Sequence, residues 1–346
     1  MILKEKKIIS HSILEVFLYL GYFPKILSGP IQNSKDFFEQ INKKRQINFQ
    51  SLSEGIQIFM FGLFKKIVLA DRLSVFVDQV YNHTMSFSSI TVFLATIAYS
   101  LLIYFDFSGY SDMAIGISKI FNINLPRNFN MPYISHNVTE FWKRWHITLS
   151  SWLQEYVYIS MGGNRKGTFR TYLNLILTMV IGGIWHGANI AYIIWGLLHG
   201  IALAIHKVWM KLTNSQKKQH SLFSNIISII ITFLFTNFCW IFFKTENISK
   251  SLKIIKKIFS FEQGINQPYL YLFTSLILLI IITIIVYKKS IKQNNTLKKQ
   301  NTSLINGYYP ILNLNKFWNL VIFFVFCGIV FALAYTGGSP FIYGNY

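Results

Sequence analysis

The chain has 346 residues, 52% hydrophobic and 13% charged, where a soluble domain carries roughly 25% charged residues. That balance excludes an ordinary soluble protein and predicts an all-α integral membrane protein. The net charge of +20 comes without any nucleic-acid reading module, so it is assigned to membrane-flanking loops and lipid headgroups, with no nucleic acid among the expected partners.

The start, Met1 with a basic Lys4–Lys7 patch, lacks a small-residue cleavage site, so no removable signal peptide is expected. Ile13–Ile31 is apolar but interrupted by Gly21, Pro24, Gly29 and Pro30. Such a broken segment sits at membrane depth only where it is buried or lines a cavity, as a re-entrant piece does. Gly55–Tyr81 reads as one helix with a polar side formed by Gln57, Lys65, Lys66, Arg72 and Asp78. Placement at the membrane edge and spanning among protein neighbours both stay open for it.

The clearest spans are Ile90–Phe105, Tyr172–Trp185, Ile190–Ile205, Ile226–Phe243, Tyr269–Tyr287 and Phe317–Tyr335. Ile248–Phe261 is too short and basic to span. Ile248, Leu252, Ile255, Ile258 and Phe259 recur at helical spacing, opposite Lys250, Lys253, Lys256 and Lys257, which predicts an interfacial amphipathic helix over 248–261. Lys288–Lys299 reads as a polar loop without regular structure. More lysines fall on the side of Lys207, Lys211, Lys288 and Lys316 than on that of Lys244, which places the former in the cytoplasm. Cys239 and Cys327 lie inside apolar blocks and read as small buried hydrophobes.

Chemistry-bearing residues concentrate between Asp106 and His206. Asp106-Phe-Ser-Gly-Tyr-Ser-Asp112 puts two carboxylates, with Ser108 and Ser111, at the end of an apolar helix. A proline-bounded turn with Arg127 and Asn130 follows. Asn137 then opens a helix with Glu140 three residues on, and Val138, Trp142, Trp145, Leu149, Trp152 and Tyr156 make one apolar face beside His146. Gly162–Gly167 is a tight polar loop without the strand–loop–helix setting of a phosphate-binding loop.

His186 stands in Gly182-Gly-Ile-Trp-His-Gly-Ala188, with Trp185 beside it, between two segments of spanning length. An ionisable side chain there reads as functional by default. A neutral imidazole can take the proton of an attacking hydroxyl, and such bases contribute roughly a hundredfold to ten-thousandfold. It can equally hydrogen-bond a neighbouring helix. Asp106, Asp112, Arg127, Glu140 and Arg144 are open between lining a substrate cavity and forming ion pairs that hold irregular backbone. The tryptophans read first as packing or an interfacial belt. His199 and His206 have no carboxylate beside them, so no metal site is expected and both are assigned to structure.

These residues resemble the membrane-bound O-acyltransferase superfamily, above all its bacterial alginate and peptidoglycan O-acetyltransferase branch. The matching text is Gly21-Tyr-Phe-Pro-Lys-Ile-Leu-Ser-Gly-Pro-Ile31, Asp106–Ala114, Asn128–Ser135, Glu140-Phe-Trp-Lys-Arg-Trp-His-Ile-Thr-Leu-Ser150, Tyr158–Arg165, Gly183-Ile-Trp-His-Gly187 and Pro340-Phe-Ile-Tyr343. The sister D-alanyl transfer proteins share the Phe-Trp-x-Arg-Trp-His segment, whereas the Gly162-Gly-Asn-Arg165 loop is closer to the acetylating branch. The resemblance implies one membrane domain over 1–346, a multi-helix bundle around a central tunnel with re-entrant and interfacial helices. It maps the family's near-invariant histidine onto His186 and its second active-site position onto His146. Ser108, Asn130, Trp142, Trp145 and Trp185 join the charged residues as tunnel or substrate candidates.

It further implies acetyl-CoA as donor, with no tightly bound cofactor. The acceptor would be an extracytoplasmic polysaccharide or peptidoglycan, reached through a partner transferase from a multi-pass protein of the bacterial cell membrane. Family members usually carry further spans before the Phe-Pro-x-x-x-x-Gly-Pro motif, so those spans are expected to be missing here. Readings outside the acetylating branch are D-alanyl transfer, a transporter or channel lined by Asp106, Asp112, Glu140 and His186, and a catalytically inactive scaffold. No internal repeat favours the transporter.

Overall fold

The computed structural model describes residues 12–43, 46, 48–213, 221–266, 272–278, 280–281, 311–337 and 341–342. Among these the chain is helical, with one isolated β-bridge between Phe87 and Ile265. Ser89–Ile120, Ile190–Thr213 and Leu222–Thr245 are long and apolar enough to cross a membrane. The backbone forms two compact units. One comprises Met1–Arg72, Ile103–Arg127 and Tyr269–Asn345, the other Leu73–Leu102 and Asn128–Pro268.

In the first unit, α1 (Ile13–Leu20) starts on a reciprocal cap between Ser12 and Glu15 and stops at Gly21, and a single 3-10 turn over Phe23–Lys25 follows. The segment is therefore broken where glycine and proline predict. After α2 (Ser34–Ile41) come α3 (Phe49–Leu63) and a π-helical stretch over Phe64–Ala70, and the chain continues into α4 (Asp71–Asn82), which belongs to the second unit from Leu73 on. The uniform helix expected over Gly55–Tyr81 is thus interrupted, and its polar side is not a solvated face. Lys65 is 2% exposed and Gln57 is buried. Buried lysines need partners, and the π stretch lets the consecutive Lys65 and Lys66 both reach carboxylates. A wide turn also frees a carbonyl; here the Ile67 carbonyl accepts the Tyr335 N–H at 2.9 Å.

The carboxylates lie on α5 (Ser89–Ile120), a helix of 32 residues. The sequence ends this span at Phe105, but the helix runs on through Asp106, Ser108 and Asp112. No proline or unpaired charge stops it: Lys66 meets Asp106 at 2.7 Å and Lys65 meets Asp112 at 2.6 Å. Gly55 and Gly62 on α3 lie against Gly116 and Gly109 on α5, with the two backbones in direct contact. Near the C-terminus, α6 (Phe317–Ala332) exposes Phe317, Phe324 and Phe331, and the carbonyl of the following Leu333 accepts the Arg72 guanidinium at 2.9 Å. The expected span Tyr269–Tyr287 and the 288–299 loop fall largely or wholly outside the described residues.

The second unit holds the remaining helices. α7 (Thr168–Trp185) and α8 (Ile190–Thr213) pack closely, with Gly196 against the Met179 carbonyl and Gly200 against Ile176. α9 (Leu222–Thr245) is clasped to the first half of α5 by polar side chains. Ser100 donates to Asn237 Oδ1 at 2.7 Å, and Asn237 Nδ2 donates to Thr96 at 2.9 Å. Small and polar residues at helix contacts are how membrane helices associate without a hydrophobic drive between them.

A helix forms at the segment expected to be helical over 248–261, as α10 (Ile248–Phe259), capped by Asn247. Its Leu252 and Phe259 are exposed, while Ile254 joins a core with Val80, Phe87, Val92, Ala95 and Ile241. One lysine departs from the expected basic face. Lys257 is buried and pairs with Glu262 at 2.5 Å, which holds that exposed carboxyl below its ordinary range.

The single helix expected from Asn137 to Tyr156 is three pieces: α11 (Val138–Arg144), α12 (Ile147–Trp152) and a π stretch over Leu153–Tyr158. Between the first two, His146 adopts a left-handed conformation with φ 40°. A break at depth needs partners for its backbone groups. The preceding turn supplies them: Asn130 N–H donates to the Arg144 carbonyl at 2.9 Å, and Ile147 N–H donates to the Asn128 carbonyl at 2.8 Å. Asn128 Oδ1 also accepts the Thr148 hydroxyl at 2.6 Å.

Candidate active site

A helix end and a helix break in the second unit set the histidines. α7 ends at His186, whose backbone N–H bonds the Gly183 carbonyl at 3.0 Å, and Gly187 follows with φ 149°. The imidazole is therefore carried off the helix end rather than along its flank. It is 4% exposed, with ring centroids of Trp185, Phe243 and Trp195 at 4.9, 5.0 and 5.3 Å. His146, also 4% exposed, is presented by the left-handed break. His186 thus sits in an aromatic enclosure, and His146, forty residues earlier in the sequence, is likewise buried within the second unit.

Behind them lies an aromatic layer whose tryptophans the sequence reads first as packing or an interfacial belt, with Trp142 and Trp145 also tunnel candidates by resemblance. Trp145 packs against Phe141, Phe129 and Trp240, with centroids 5.6, 5.0 and 4.9 Å away. Trp142 Nε1 donates to His199 Nδ1 at 3.2 Å, and the His199 ring lies 5.2 Å from Trp195. His199 is completely buried. Trp195 touches both His186 and His199, and it is a residue that the sequence reading did not single out; its place in Trp195-Gly-Leu-Leu-His199 is the only local signal. His206 bonds Thr139 at 2.8 Å, a structural contact.

The other candidates separate into two groups. Glu140 bridges His136 at 2.9 Å and Arg144 at 2.8 Å, and Arg144 donates to the Asn130 carbonyl at 3.1 Å. Asn130, Glu140 and Arg144 therefore brace the turn that permits the His146 break. Trp185 is 57% exposed, so only its edge toward His186 serves the enclosure. Asp106, Ser108, Asp112 and Arg127 belong to the first unit. Asp106 and Asp112 are held by Lys66 and Lys65, Lys66 also meets Asp71 at 2.8 Å, and Asp106 accepts the Ile342 N–H at 2.8 Å. Of their two open readings, this pairing favours the structural one. Ser108 is buried on the same helix and Arg127 is half-buried.

Residues 3–247 match the family of MBOAT, membrane-bound O-acyltransferases. The chain belongs to this family. Among curated relatives, the peptidoglycan O-acetyltransferase of Helicobacter pylori is 45% identical over 245 residues, 70% of this chain and 46% of that protein. Probable alginate O-acetylase AlgI of Pseudomonas putida is 42% identical over 255 residues, 73% of this chain and 50% of the relative. The teichoic acid D-alanyltransferase of Bacillus subtilis is 30% identical over 232 residues, 64% and 58% of the two chains. The chain spans about half the length of the first two. As a family member it is a membrane protein, and both His146 and His186 lie inside the matched region.

Proposed function

We propose that this membrane-bound O-acyltransferase is an O-acetyltransferase with His186 as general base and His146 assisting. The observation that carries the reading is the placement of two buried histidines at helix ends, His186 in an aromatic enclosure and His146 at a left-handed break, inside the matched region. Higher identity to the two acetyl-transferring relatives, 45% and 42% against 30% for the D-alanyltransferase, supports acetyl over D-alanyl.

In the proposed reaction, His186 accepts the proton of an acceptor hydroxyl as its oxygen attacks the thioester carbonyl of acetyl-CoA. The C–S bond breaks, the thiolate leaves, and the imidazolium returns the proton to it, so the histidine ends neutral. A positioned base contributes on the order of a hundredfold to ten-thousandfold to such a step. Exclusion of water by the aromatic enclosure protects the thioester from hydrolysis. The donor is taken from the cytoplasm and the acetyl group delivered to hydroxyls of a cell-envelope polysaccharide or peptidoglycan, with a partner transferase on the outer side of a bacterial cell membrane.

The test is surface-polymer acetylation in cells carrying His186→Ala. The expected result is loss of ester-linked acetate with membrane insertion and abundance unchanged. Wild-type acetylation by that variant would remove His186 from the chemistry.

A further inference from the structure

A polar cavity of about 370 Å³ lies in the second unit, lined by neither His146 nor His186. Three segments build it: the end of α4 with the turn after it, the last residues of α9, and the first turns of α10. Lys244, Lys250 and Lys253 line it together with His83 and Tyr81, whose buried hydroxyl has no hydrogen-bond partner among the described residues. Asp78 is its one lining carboxylate and is engaged by Lys244 at 2.7 Å, which leaves Lys250 and Lys253 with no lining acid to pair with.

The apolar surroundings narrow the ligand. Met85 lines the same cavity and is 65% exposed, and α10 exposes Leu252 and Phe259 on the face opposite its lysines. A helix too short to span thus carries exposed apolar side chains on one face and lines a polar cavity with lysines of the other. A soluble anion needs the lysines but not the apolar rim. A lipid uses both, because its phosphate and its acyl chains are joined. Basic residues on interfacial helices attract anionic lipid by about 1 kcal/mol each.

We propose that this cavity binds the phosphodiester headgroup of an anionic phospholipid, held by Lys250 and Lys253. Met85 faces the acyl chains.

The experiment titrates short-chain phosphatidylglycerol or phosphatidylcholine into the detergent-solubilised full chain, with bound lipid counted by native mass spectrometry. Phosphatidylglycerol is expected to bind more tightly than phosphatidylcholine. Lys250→Gln with Lys253→Gln should weaken it about thirtyfold, about fivefold for each lysine. Lys211→Gln with Lys256→Gln, which removes equal charge outside the cavity, should change it less than threefold. Asp78→Asn, which releases Lys244, should tighten binding several-fold and gives a gain of function that misfolding cannot mimic. Equal binding of the two lipids, or equal loss in both double variants, would overturn the site. So would displacement of the lipid by inorganic phosphate at the same concentration, or lysine-dependent binding of a soluble oligouronate in its place.

Discussion

The indole N–H of Trp142 on α11 donates to Nδ1 of His199 on α8 across 3.2 Å, joining the helix before the His146 break to the helix that carries Trp195. Since an indole only donates, Nδ1 is an acceptor and the proton of His199 sits on Nε2. Interhelical hydrogen bonds in membranes contribute about 0.6 kcal/mol, rising to about 1.7 kcal/mol. A double-mutant cycle with Trp142→Phe and His199→Phe, read by unfolding in detergent, should return a coupling energy of that size. Each single change should lower stability, because each leaves a buried polar atom unpaired. A cycle with no coupling would show that the contact does not hold the two helices together.

His146 combines a backbone task with a proposed chemical one, and substitutions can separate them. At φ 40° a residue with a Cβ carries a left-handed penalty of roughly 1–2 kcal/mol, which glycine lacks and asparagine carries lightly. His146→Gly and His146→Asn should therefore unfold at or above the wild-type temperature, and His146→Ala should not exceed it. All three should lose most acetyl transfer. Full activity in His146→Asn would reduce His146 to a conformational role.

The sequence is explicit about spans and capping but silent about the π stretches. Apolar blocks of spanning length locate α7 and α9 to within four residues at each end and the start of α8, which runs on to Thr213 beyond the expected Ile205, because lipid demands uninterrupted apolar helix there. Asn137 followed by Glu140 marks the start of α11, and its side chain does accept the Glu140 N–H at 2.8 Å. The break at His146 is not legible, because the apolar spacing from Val138 to Tyr156 fits one continuous helix. The bonds that make the break tolerable come from Asn128 and Asn130, in a different segment. The π stretch at Phe64–Ala70 is hidden for the same reason. Its local sequence is ordinary helix, and the carboxylates that draw in Lys65 and Lys66 lie some forty residues on, in a helix that composition alone ends at Phe105. His186 was readable because histidine between apolar blocks is rare in itself; Trp195 was not, since one tryptophan among many aromatics carries no such signal.

The Lys65–Asp112 pair offers a test of what keeps a charged helix at depth. Both side chains are nearly inaccessible, at 2% and 6% exposure, and their ends are 2.6 Å apart. Removing one member of a buried pair leaves an uncompensated charge and costs roughly 3–5 kcal/mol, whereas replacing both with apolar groups of similar volume is often neutral. Lys65→Met is expected to destabilise the protein by an amount in that range. Adding Asp112→Leu should recover most of it, measured by denaturant unfolding in micelles. Recovery of neither stability nor folding by the double variant would mean that Asp112 serves something beyond its lysine.

Close helix packing in the first unit makes opposite predictions at two glycines that composition treats alike. A Cβ on Gly62 would sit 2.5 Å from the Gly109 carbonyl oxygen and 2.7 Å from the Met113 nitrogen, both backbone atoms that cannot step aside without moving α5. A Cβ on Gly328, in α6, would meet nothing within 4 Å. Gly62→Ala should lower stability by roughly 1–3 kcal/mol, the usual range for forced overpacking. Gly328→Ala should raise it by roughly 0.5–1 kcal/mol, because alanine loses less backbone entropy than glycine in a helix interior. The two variants, compared by thermal unfolding in the same detergent, should move in opposite directions. A shift of the same sign in both would show that α3 and α5 are not packed backbone to backbone at Gly62.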